Sequence, residues 1–341
     1  MYKLDFIRMV HLEISSECNA ACPQCPRNLY GYPYNDGYIA RNLTLAEAEK
    51  IFQPSFVKQL DKLLINGNFG DIVMNLEAVE IIKYFRKHNT KPEFIIEICT
   101  NGGARNRTFW TQLAELQCHI NFAIEGIDNT THALYRQNTL YDTVIKNAQA
   151  FIQAGGHACW KMVQFEHNQS QVDQARTLSQ QMGFKRFELI DHGRDTGPVY
   201  NTHGQVVHIM KEDVWKNMGL PTALEDMIDF RKSKTITNEH VNINIRPKIN
   251  CEAIRGRSLY ISSTGSVYPC CYLGMAPETY GHGCYMQPAN QQIREIIEEN
   301  SALEYGLEHA IQWFNSVPPS WDKPTVEQGR LILCNDNCGC G

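Results

Sequence analysis

Three cysteines near the amino terminus have the spacing of a metal-binding loop, Cys18-Asn-Ala-Ala-Cys22-Pro-Gln-Cys25. A cubane iron–sulfur cluster takes four thiolates, one for each iron. Because only three lie in this loop and no fourth cysteine is nearby, one iron would keep an open coordination position, where metal enzymes bind substrate or cosubstrate. The alternatives are a zinc site that borrows a fourth ligand and a chance group of buried thiols.

A second group of cysteines lies towards the carboxyl terminus, where more than half of the 13 cysteines follow residue 250. Cys251 and Cys270 flank a predicted β-hairpin formed by residues 259–263 and 266–269 around a glycine turn. Since a hairpin brings its ends together, both thiols can reach one metal site. A structural zinc ion is the alternative to an iron–sulfur cluster there. The tail contributes Cys334, Cys338 and Cys340.

Charge and composition restrict the class of protein. The 341 residues carry a formal net charge of −5 and no run of Lys or Arg, which argues against binding to nucleic acid through phosphate contacts. No apolar run approaches the ~18 residues of a membrane span, and the polar start does not resemble a signal peptide. We therefore expect a cytoplasmic protein without nucleic-acid or membrane partners. Thiols stay reduced in that compartment, so grouped cysteines indicate metal or redox chemistry.

Apolar strand-like runs alternate with helical patterns from about residue 8 to 192. The strands are predicted at 9–15, 62–65, 94–100, 119–124, 158–165 and 186–190, and the helices at 44–52, 76–88, 107–116, 141–154 and 170–182. This alternation predicts an α/β fold of parallel βαβ units, arranged as a partial (β/α)6 TIM-like barrel. Chemistry in such folds collects at the carboxyl ends of the strands, and the cysteine triplet follows the first strand directly.

The pattern divides the chain into three regions. Residues 1–195 form the predicted barrel. Residues 196–250 are polar and poorly periodic, and we interpret them as a bridging region. Residues 251–341 form a small unit with the predicted hairpin, a helix around 291–300 and the cysteine-rich tail.

The triplet and its position after a first strand resemble the cluster loop of the radical SAM enzymes. Later strand ends match that superfamily in one consistent order, over roughly residues 8–195. Phe69-Gly70-Asp71 resembles its Gly-Gly-Glu element, which binds the methionine amino group of S-adenosylmethionine (SAM). Thr100-Asn101-Gly102 resembles its turn near the bound cosubstrate.

Three further segments continue this resemblance. Ala123-Ile-Glu125-Gly126 is similar to the superfamily's Ser-Ile-Asp-Gly, and Tyr135-Arg136 to its Tyr-Arg pair. Glu188 lies in a segment that resembles the last-strand element beside the adenine. The resemblance therefore implies cofactor-binding roles for Phe69, Gly70, Asp71, Thr100, Asn101, Glu125, Arg136 and Glu188.

Two positions depart from the superfamily pattern. Gln24 stands before the third cysteine, where an aromatic residue is usual, so another residue must supply the packing against the adenine. Ala123 stands where a hydroxyl group is often found, so that polar contact is not supplied here.

The carboxyl-terminal cysteines resemble a second signature. Cys251, Gly265 and Cys270 fit the Cys-x(9–15)-Gly-x4-Cys pattern of the auxiliary-cluster domains called SPASM and twitch. The full SPASM run of closely spaced cysteines is missing, so the resemblance implies a twitch-like domain with one auxiliary [4Fe–4S] cluster. Cys340 can replace either tail ligand, and Cys271 and Cys284 stay unassigned. The implied ligands are Cys251, Cys270, Cys334 and Cys338.

The resemblance implies an enzyme with two [4Fe–4S] clusters, one of which binds SAM at its open iron. Reductive cleavage of SAM gives a 5′-deoxyadenosyl radical that abstracts a hydrogen atom from the substrate. A ribosomally made peptide is the expected substrate, with a separate recognition protein and an electron donor such as flavodoxin or ferredoxin. The alternatives are dehydrogenation of a small alcohol or sugar and, in another class, a zinc-binding module without catalytic activity.

A loop of ionisable residues follows the last predicted barrel strand. We expect Arg194, with Asp191 or Asp195, to handle a proton or to anchor a backbone carboxamide of the substrate, because functional residues concentrate on loops at strand ends. A solvated surface loop is the alternative.

Overall fold

A computed structural model describes residues 2–33, 39–191, 196–233, 245–275 and 287–340. Its strands are β1 (Met9–Leu12), β2 (Asn28–Leu29), β3 (Tyr32–Pro33), β4 (Lys62–Ile65), β5 (Ile95–Thr100), β6 (His119–Ala123), β7 (His157–Gln164), β8 (Arg186–Asp191), β9 (Gly197–Tyr200), β10 (Val206–Met210), β11 (Lys248–Ile249), β12 (Ser258–Ile261), β13 (Val267–Tyr268) and β14 (Gly339–Cys340).

The helices alternate with the strands of the first half and then cluster in the second. They are α1 (Leu45–Ile51), α2 (Pro54–Gln59), α3 (Ala78–His88), α4 (Arg107–Glu115), α5 (Asn129–Tyr135), α6 (Tyr141–Gln153), α7 (Val172–Gln181), α8 (Glu212–Asn217), α9 (Leu224–Ser233), α10 (Glu252–Arg255), α11 (Cys271–Met275), α12 (Gln287–Ile296), α13 (Ala302–Tyr305), α14 (Leu307–Ala310) and α15 (Ile332–Cys338). Among the described residues, none of the helices is both long and apolar enough to cross a bilayer.

One eight-stranded sheet organises the molecule, in the order β13-β12-β1-β4-β5-β6-β7-β8. Strands β1 and β4 to β8 are parallel to their neighbours, as the alternating pattern predicts. The α/β fold predicted from the sequence is therefore confirmed. The predicted hairpin is also present as the antiparallel pair β12–β13. Its first strand pairs in parallel with β1, so the hairpin extends the barrel sheet, which the sequence did not reveal.

The two faces of the sheet differ in chemistry because side chains alternate along a strand. On β5, Ile96 and Ile98 are buried in the main core, among helix residues such as Phe85 and Trp110. Glu97 alternates with them and accepts a hydrogen bond from Asn121 on β6. The helices thus cover an apolar face, while the opposite face is polar and lined with charges.

Local sequence signals fix several helix starts. Helix α1 begins with a capping box, in which Glu47 N–H donates to Thr44 Oγ1 at 3.2 Å and Thr44 N–H donates to Glu47 Oε2 at 2.9 Å. This reciprocal pair satisfies two of the backbone donors that a helix start leaves free.

The region predicted to be a poorly periodic bridge contains regular structure. Strands β9 and β10 form an antiparallel hairpin with a bulge, and α8 and α9 follow. Val199 and Met210 from this hairpin are buried against Cys22. No strand was predicted from the sequence in this region, because four- and five-residue strands are too short to establish a period. Helices α2 and α5, with six and seven residues, are also too short to show a clear helical period, and they were not predicted.

Candidate active site

The cysteine triplet forms a compact loop after β1. Cys25 N–H donates to the Cys22 carbonyl at 3.1 Å, and Asn28 N–H donates to the Cys25 carbonyl at 2.9 Å. The Asn28 side chain closes the loop by donating to the Cys22 carbonyl at 3.2 Å. Apolar side chains then shield the loop from water. They are Ala20, Tyr135, Phe165, Val199 and Met210.

Nitrogen donors from three parts of the chain point at the sulfur atoms. The Ala20 N–H and the Asn101 amide donate to Cys18 Sγ at 3.4 and 3.5 Å. The Arg136 guanidinium donates to Cys22 Sγ at 3.4 Å. Asn101 follows β5 and Arg136 follows α5, so the ends of separate βα units converge on the triplet.

Burial disfavours an isolated negative charge at these sulfurs. It raises the pKa of the Cys18 thiol to about 12, with a smaller contribution from the Asp71 carboxylate. Burial also raises the pKa of Cys22, which the Arg136 charge opposes. Metal coordination deprotonates a thiol outright, and N–H donors to sulfur are typical of the surroundings of iron–sulfur clusters. The donor set and its surroundings therefore fit a cluster.

The geometry around the triplet does not define a single-ion site. Within the described ranges, no three His, Cys, Asp or Glu side chains converge on the position of one metal ion. The thiolates of a cubane bind separate irons, so the fit of a cluster is judged here from the donors and the apolar surroundings of the sulfurs.

Asp71 joins the ends of β4 and β5. One carboxylate oxygen accepts from the Thr100 hydroxyl at 2.7 Å and from Val73 N–H at 3.1 Å, and the other accepts from Asn101 N–H at 2.7 Å. The side chain is buried, and this burial raises its pKa. Both oxygens thus already have partners inside the protein.

Phe69 and Gly70 present their backbone to a carboxylate that the sequence did not identify. Their N–H groups donate to Glu13 Oε1 at 2.7 and 3.0 Å. Gly70 cannot be replaced without movement, because a Cβ there would lie 1.9 Å from the Ser15 carbonyl oxygen. The only sequence signal for Glu13 was a lone acid within an apolar strand-like run, too common to indicate a role.

Glu125 and Arg136 form a buried ion pair beside the triplet. Arg136 Nη2 donates to Glu125 Oε1 at 2.7 Å, and Arg136 Nε donates to the same oxygen at 3.0 Å. Glu125 is fully buried, which raises the pKa of its carboxyl group. Its second oxygen, Oε2, has no hydrogen-bond partner among the described residues. An unsatisfied buried oxygen of this kind is costly, and it marks a place where a ligand donor fits.

Gln24 is a second place with unused polar atoms. Both its amide oxygen and its amide nitrogen are buried without a hydrogen-bond partner in the part of the chain that the structure describes. Gln24 directly precedes Cys25 in the sequence of the triplet. A ligand next to the triplet that offers one donor and one acceptor would satisfy both atoms.

The residues predicted on β8 lie in a different environment. Glu188 pairs in register with Lys161 on β7, and its carboxylate lies 3.5 Å from the Lys161 ammonium and 3.7 Å from the Arg186 guanidinium. It therefore belongs to the charged face of the sheet. Asp191 is the exposed last residue of β8. Arg194 and Asp195 lie outside the described residues.

Backbone pairing brings the tail beside Cys251 in the carboxyl-terminal region, although no three of the described thiols there converge on the position of one metal ion. Strand β14 pairs with β11, and Asn250 N–H donates to the Cys338 carbonyl at 2.8 Å, which brings the tail beside Cys251. Burial raises the pKa of Cys334 to about 12, and the neighbouring Cys251 and Cys338 add to this shift. Burial likewise raises the pKa of Cys270, and Cys334 and Cys251 contribute.

The surroundings of these thiols contain an unused donor. The Tyr2 hydroxyl is buried, and none of the described residues forms a hydrogen bond with it. Burial raises its pKa, and the adjacent Cys251, Cys270 and Cys334 raise it further. An O–H group facing several thiolates fits a cluster whose sulfurs accept hydrogen bonds. Cys340 is exposed, and Cys284 lies outside the described residues.

Three solved structures share the architecture. SuiB of Streptococcus suis bound to S-adenosylmethionine is 14% identical with a TM-score of 0.55, over 97% of this chain and 77% of SuiB. SuiB bound to precursor peptide SuiA is 16% identical with a TM-score of 0.53, over 97% of this chain and 76% of that one. Native anSMEcpe with bound AdoMet and Cp18Cys peptide is 15% identical with a TM-score of 0.55, over 97% of this chain and 88% of anSMEcpe.

Neither a protein-family model nor a curated protein matches the sequence. The three similar structures are radical SAM enzymes. The described residues of this chain therefore have the fold of the radical SAM enzymes, a partial TIM-like barrel followed by a carboxyl-terminal hairpin and helices.

Proposed function

We propose that this chain is a radical SAM enzyme that modifies a peptide. The observation that carries the proposal is the convergence of N–H donors from separate βα units on the sulfurs of Cys18 and Cys22. Such donors stabilise the negative charge of a thiolate-bound cluster. A chance group of buried thiols gives no reason for this convergence.

The triplet would hold a [4Fe–4S] cluster through Cys18, Cys22 and Cys25. When bound, the cluster and SAM supply the 5′-deoxyadenosyl radical that abstracts a substrate hydrogen atom. The protein supplies position, electrostatics and exclusion of side reactions. Here the apolar cover from Phe165, Met210 and their neighbours keeps water away from the triplet.

The residues around the triplet offer distinct contacts to SAM. Asp71 holds the loop 66–71 against Thr100 and Asn101, and its Oδ2, which accepts only the Asn101 N–H among the described contacts, has a lone pair left for the amino group of SAM. Glu125 Oε2 is free to accept from a ribose hydroxyl or the amino group. Arg136 opposes the rise that burial causes in the pKa of that carboxyl group, and its two hydrogen bonds orient the group.

Gln24 provides a contact that an aromatic residue at its position would not. An amide side chain can bond an adenine edge in a bidentate manner, with its oxygen accepting and its nitrogen donating. Its two buried, unpartnered amide atoms leave both functions available. We propose that Gln24 binds the adenine of SAM. Glu188 contributes to the charged face of the sheet, beside Lys161 and Arg186.

The auxiliary site completes the proposal. Cys251, Cys270, Cys334 and Cys338 would hold a second [4Fe–4S] cluster in a twitch-like unit of residues 251–341, joined to the barrel of residues 1–195 through residues 196–250. The mutual influence of these thiols on each other's pKa values supports their grouping.

A peptide is the substrate that the comparisons favour. SuiB and anSMEcpe are both known in complexes with peptides, and each aligns with nearly the whole of this chain. A separate recognition protein would present the peptide, and flavodoxin or ferredoxin would donate electrons. Asp191, Arg194 and Asp195, which follow one another closely in the sequence at and after the last residue of β8, remain the residues proposed to handle a proton or to anchor a backbone carboxamide of the substrate.

The test is SAM cleavage by anaerobically purified protein. We expect about eight irons per chain, as two four-iron clusters require, and reductant-dependent formation of 5′-deoxyadenosine. A Cys18→Ala/Cys22→Ala/Cys25→Ala variant should lose cleavage and about four irons. Deuterium transfer from a labelled peptide into 5′-deoxyadenosine identifies the substrate, and transfer only from small alcohols or sugars would contradict the peptide assignment. Cleavage that persists in the triple variant would refute the site.

A further inference from the structure

The carboxyl-terminal region touches the loop 66–71 at two separate points. The first is Asn68, whose side-chain amide donates to the Cys271 carbonyl oxygen at 2.8 Å. Cys271 directly follows Cys270, one of the proposed auxiliary ligands. The backbone of the proposed auxiliary site is thus hydrogen-bonded to the loop that is proposed to face SAM.

The second point of contact runs through Glu13. One of its carboxylate oxygens holds the loop, through the N–H groups of Phe69 and Gly70. The other accepts from the Tyr260 hydroxyl at 2.5 Å. Tyr260 lies on β12, the hairpin strand that pairs with β1, and it is fully buried. Glu13 therefore connects the hairpin to the loop through a single buried group.

This connection leaves little freedom for compensation. A Cβ at Gly67 would lie 2.6 Å from Glu13 Oε1, and one at Gly70 would lie 1.9 Å from the Ser15 carbonyl oxygen. The loop backbone therefore already packs as closely against Glu13 and Ser15 as a glycine allows. Tyr260 is also fixed, since its ring packs edge-on against His11 at 5.0 Å. A shift of the hairpin must therefore move either Glu13 or the loop.

We propose that the carboxyl-terminal unit positions the SAM loop, so that filling the auxiliary site strengthens SAM binding at the first cluster. This inference rests on the proposed function. Asn68, Glu13 and Tyr260 act as positioning residues, because they hold the loop without contacting SAM. Since coupling between two binding sites is reciprocal, bound SAM also favours the arrangement of the hairpin that holds the auxiliary cluster.

The experiment measures SAM binding rather than turnover. Anaerobic, reconstituted Asn68→Ala and Tyr260→Phe variants are titrated with SAM by equilibrium dialysis. Each variant removes one hydrogen bond that holds the loop, so we expect SAM to bind more weakly, by up to about fivefold. Iron content should stay at the wild-type value.

Two matched variants control for general effects. Tyr84→Phe removes a buried hydroxyl that donates to the Phe52 carbonyl at 2.6 Å. Asn129→Ala removes an amide that donates to Asp142 at 2.7 Å. Neither residue contacts the loop, so both variants should bind SAM like the wild type.

A Cys334→Ser/Cys338→Ser variant tests the coupling directly. We expect the loss of about four irons, retention of the first cluster, and a loss of SAM affinity of the same size as in Asn68→Ala. Wild-type affinity in this variant and in Asn68→Ala overturns the inference and leaves the proposed function standing. Failure of the wild-type holoprotein to bind SAM overturns both. Because Asn68 is only partly buried, its variant tests the inference even if Tyr260→Phe folds poorly.

Discussion

The Arg136 guanidinium donates to Cys22 Sγ at 3.4 Å while it also pairs with Glu125. One side chain thereby links the cysteine loop to the carboxyl end of β6. The pair is buried, so its charges are screened little by water. This arrangement makes Arg136 important for both folding and the proposed cluster, and the two effects can be separated.

Replacing Arg136 with Met leaves Glu125 as a buried charge without its partner. Losing one member of a buried pair costs about 3–5 kcal/mol, which urea unfolding of the anaerobic protein measures. An Arg136→Met/Glu125→Leu double variant should recover most of that stability and still fail to cleave SAM. Glu80→Gln, which breaks an exposed pair with Lys83, is the control and should change stability by less than about 0.5 kcal/mol. A small effect of Arg136→Met alone would contradict the assigned role.

The buried His132 makes the stability of the folded protein depend on pH. Its Nδ1 accepts from Glu125 N–H at 3.2 Å, and burial lowers the pKa of the imidazole to about 3. Because the unfolded-state pKa is about 6.5, the unfolded chain binds the proton first, and stability falls as pH drops from about 6.5 towards 3. Each unit by which the pH falls in that window lowers the free energy of unfolding by up to about 1.4 kcal/mol. Urea midpoints of His132→Gln should depend less steeply on acidity, whereas an unchanged slope would contradict the assignment.

Gln24 should affect the free and SAM-bound proteins in opposite directions. Its amide atoms are buried and unpartnered, so Gln24→Leu removes unsatisfied groups and should stabilise the SAM-free protein by about 1 kcal/mol. The same change removes the proposed adenine contact and should weaken SAM binding about tenfold. Thermal unfolding and SAM titration measure the two effects. Unchanged SAM affinity would show that the adenine lies elsewhere.

The Tyr2 hydroxyl should tune the auxiliary cluster. Hydrogen bonds to cluster sulfurs stabilise the reduced, more negative state. Tyr2→Phe removes only the O–H group and keeps the ring that packs on Phe314 at 5.1 Å. Its auxiliary midpoint potential should become more negative, while that of the first cluster stays constant. EPR-monitored redox titration separates the two clusters, and an unshifted auxiliary midpoint would argue against this contact.

The sequence was informative where a short local pattern carries the signal. The cysteine spacings and the alternating strands and helices predicted the barrel sheet and the place of the triplet at the end of β1. Glu13 escaped notice because its partner Tyr260 lies far away in the sequence, and only the folded sheet brings the two together. The β9–β10 hairpin was missed because its strands are too short to show periodicity. The hydrogen bonds that Thr100 and Asn101 donate to the two Asp71 oxygens likewise join residues about 30 positions apart, and no local pattern encodes them.

The assignment of a SAM-binding cluster to Cys18, Cys22 and Cys25 is tested by the EPR spectrum of the dithionite-reduced, anaerobically reconstituted protein, recorded with and without SAM. We expect a [4Fe–4S] signal whose g-values change when SAM is added and which disappears in the Cys18→Ala/Cys22→Ala/Cys25→Ala variant. A protein with no such signal, or with a signal that SAM leaves unaltered, would contradict the assignment.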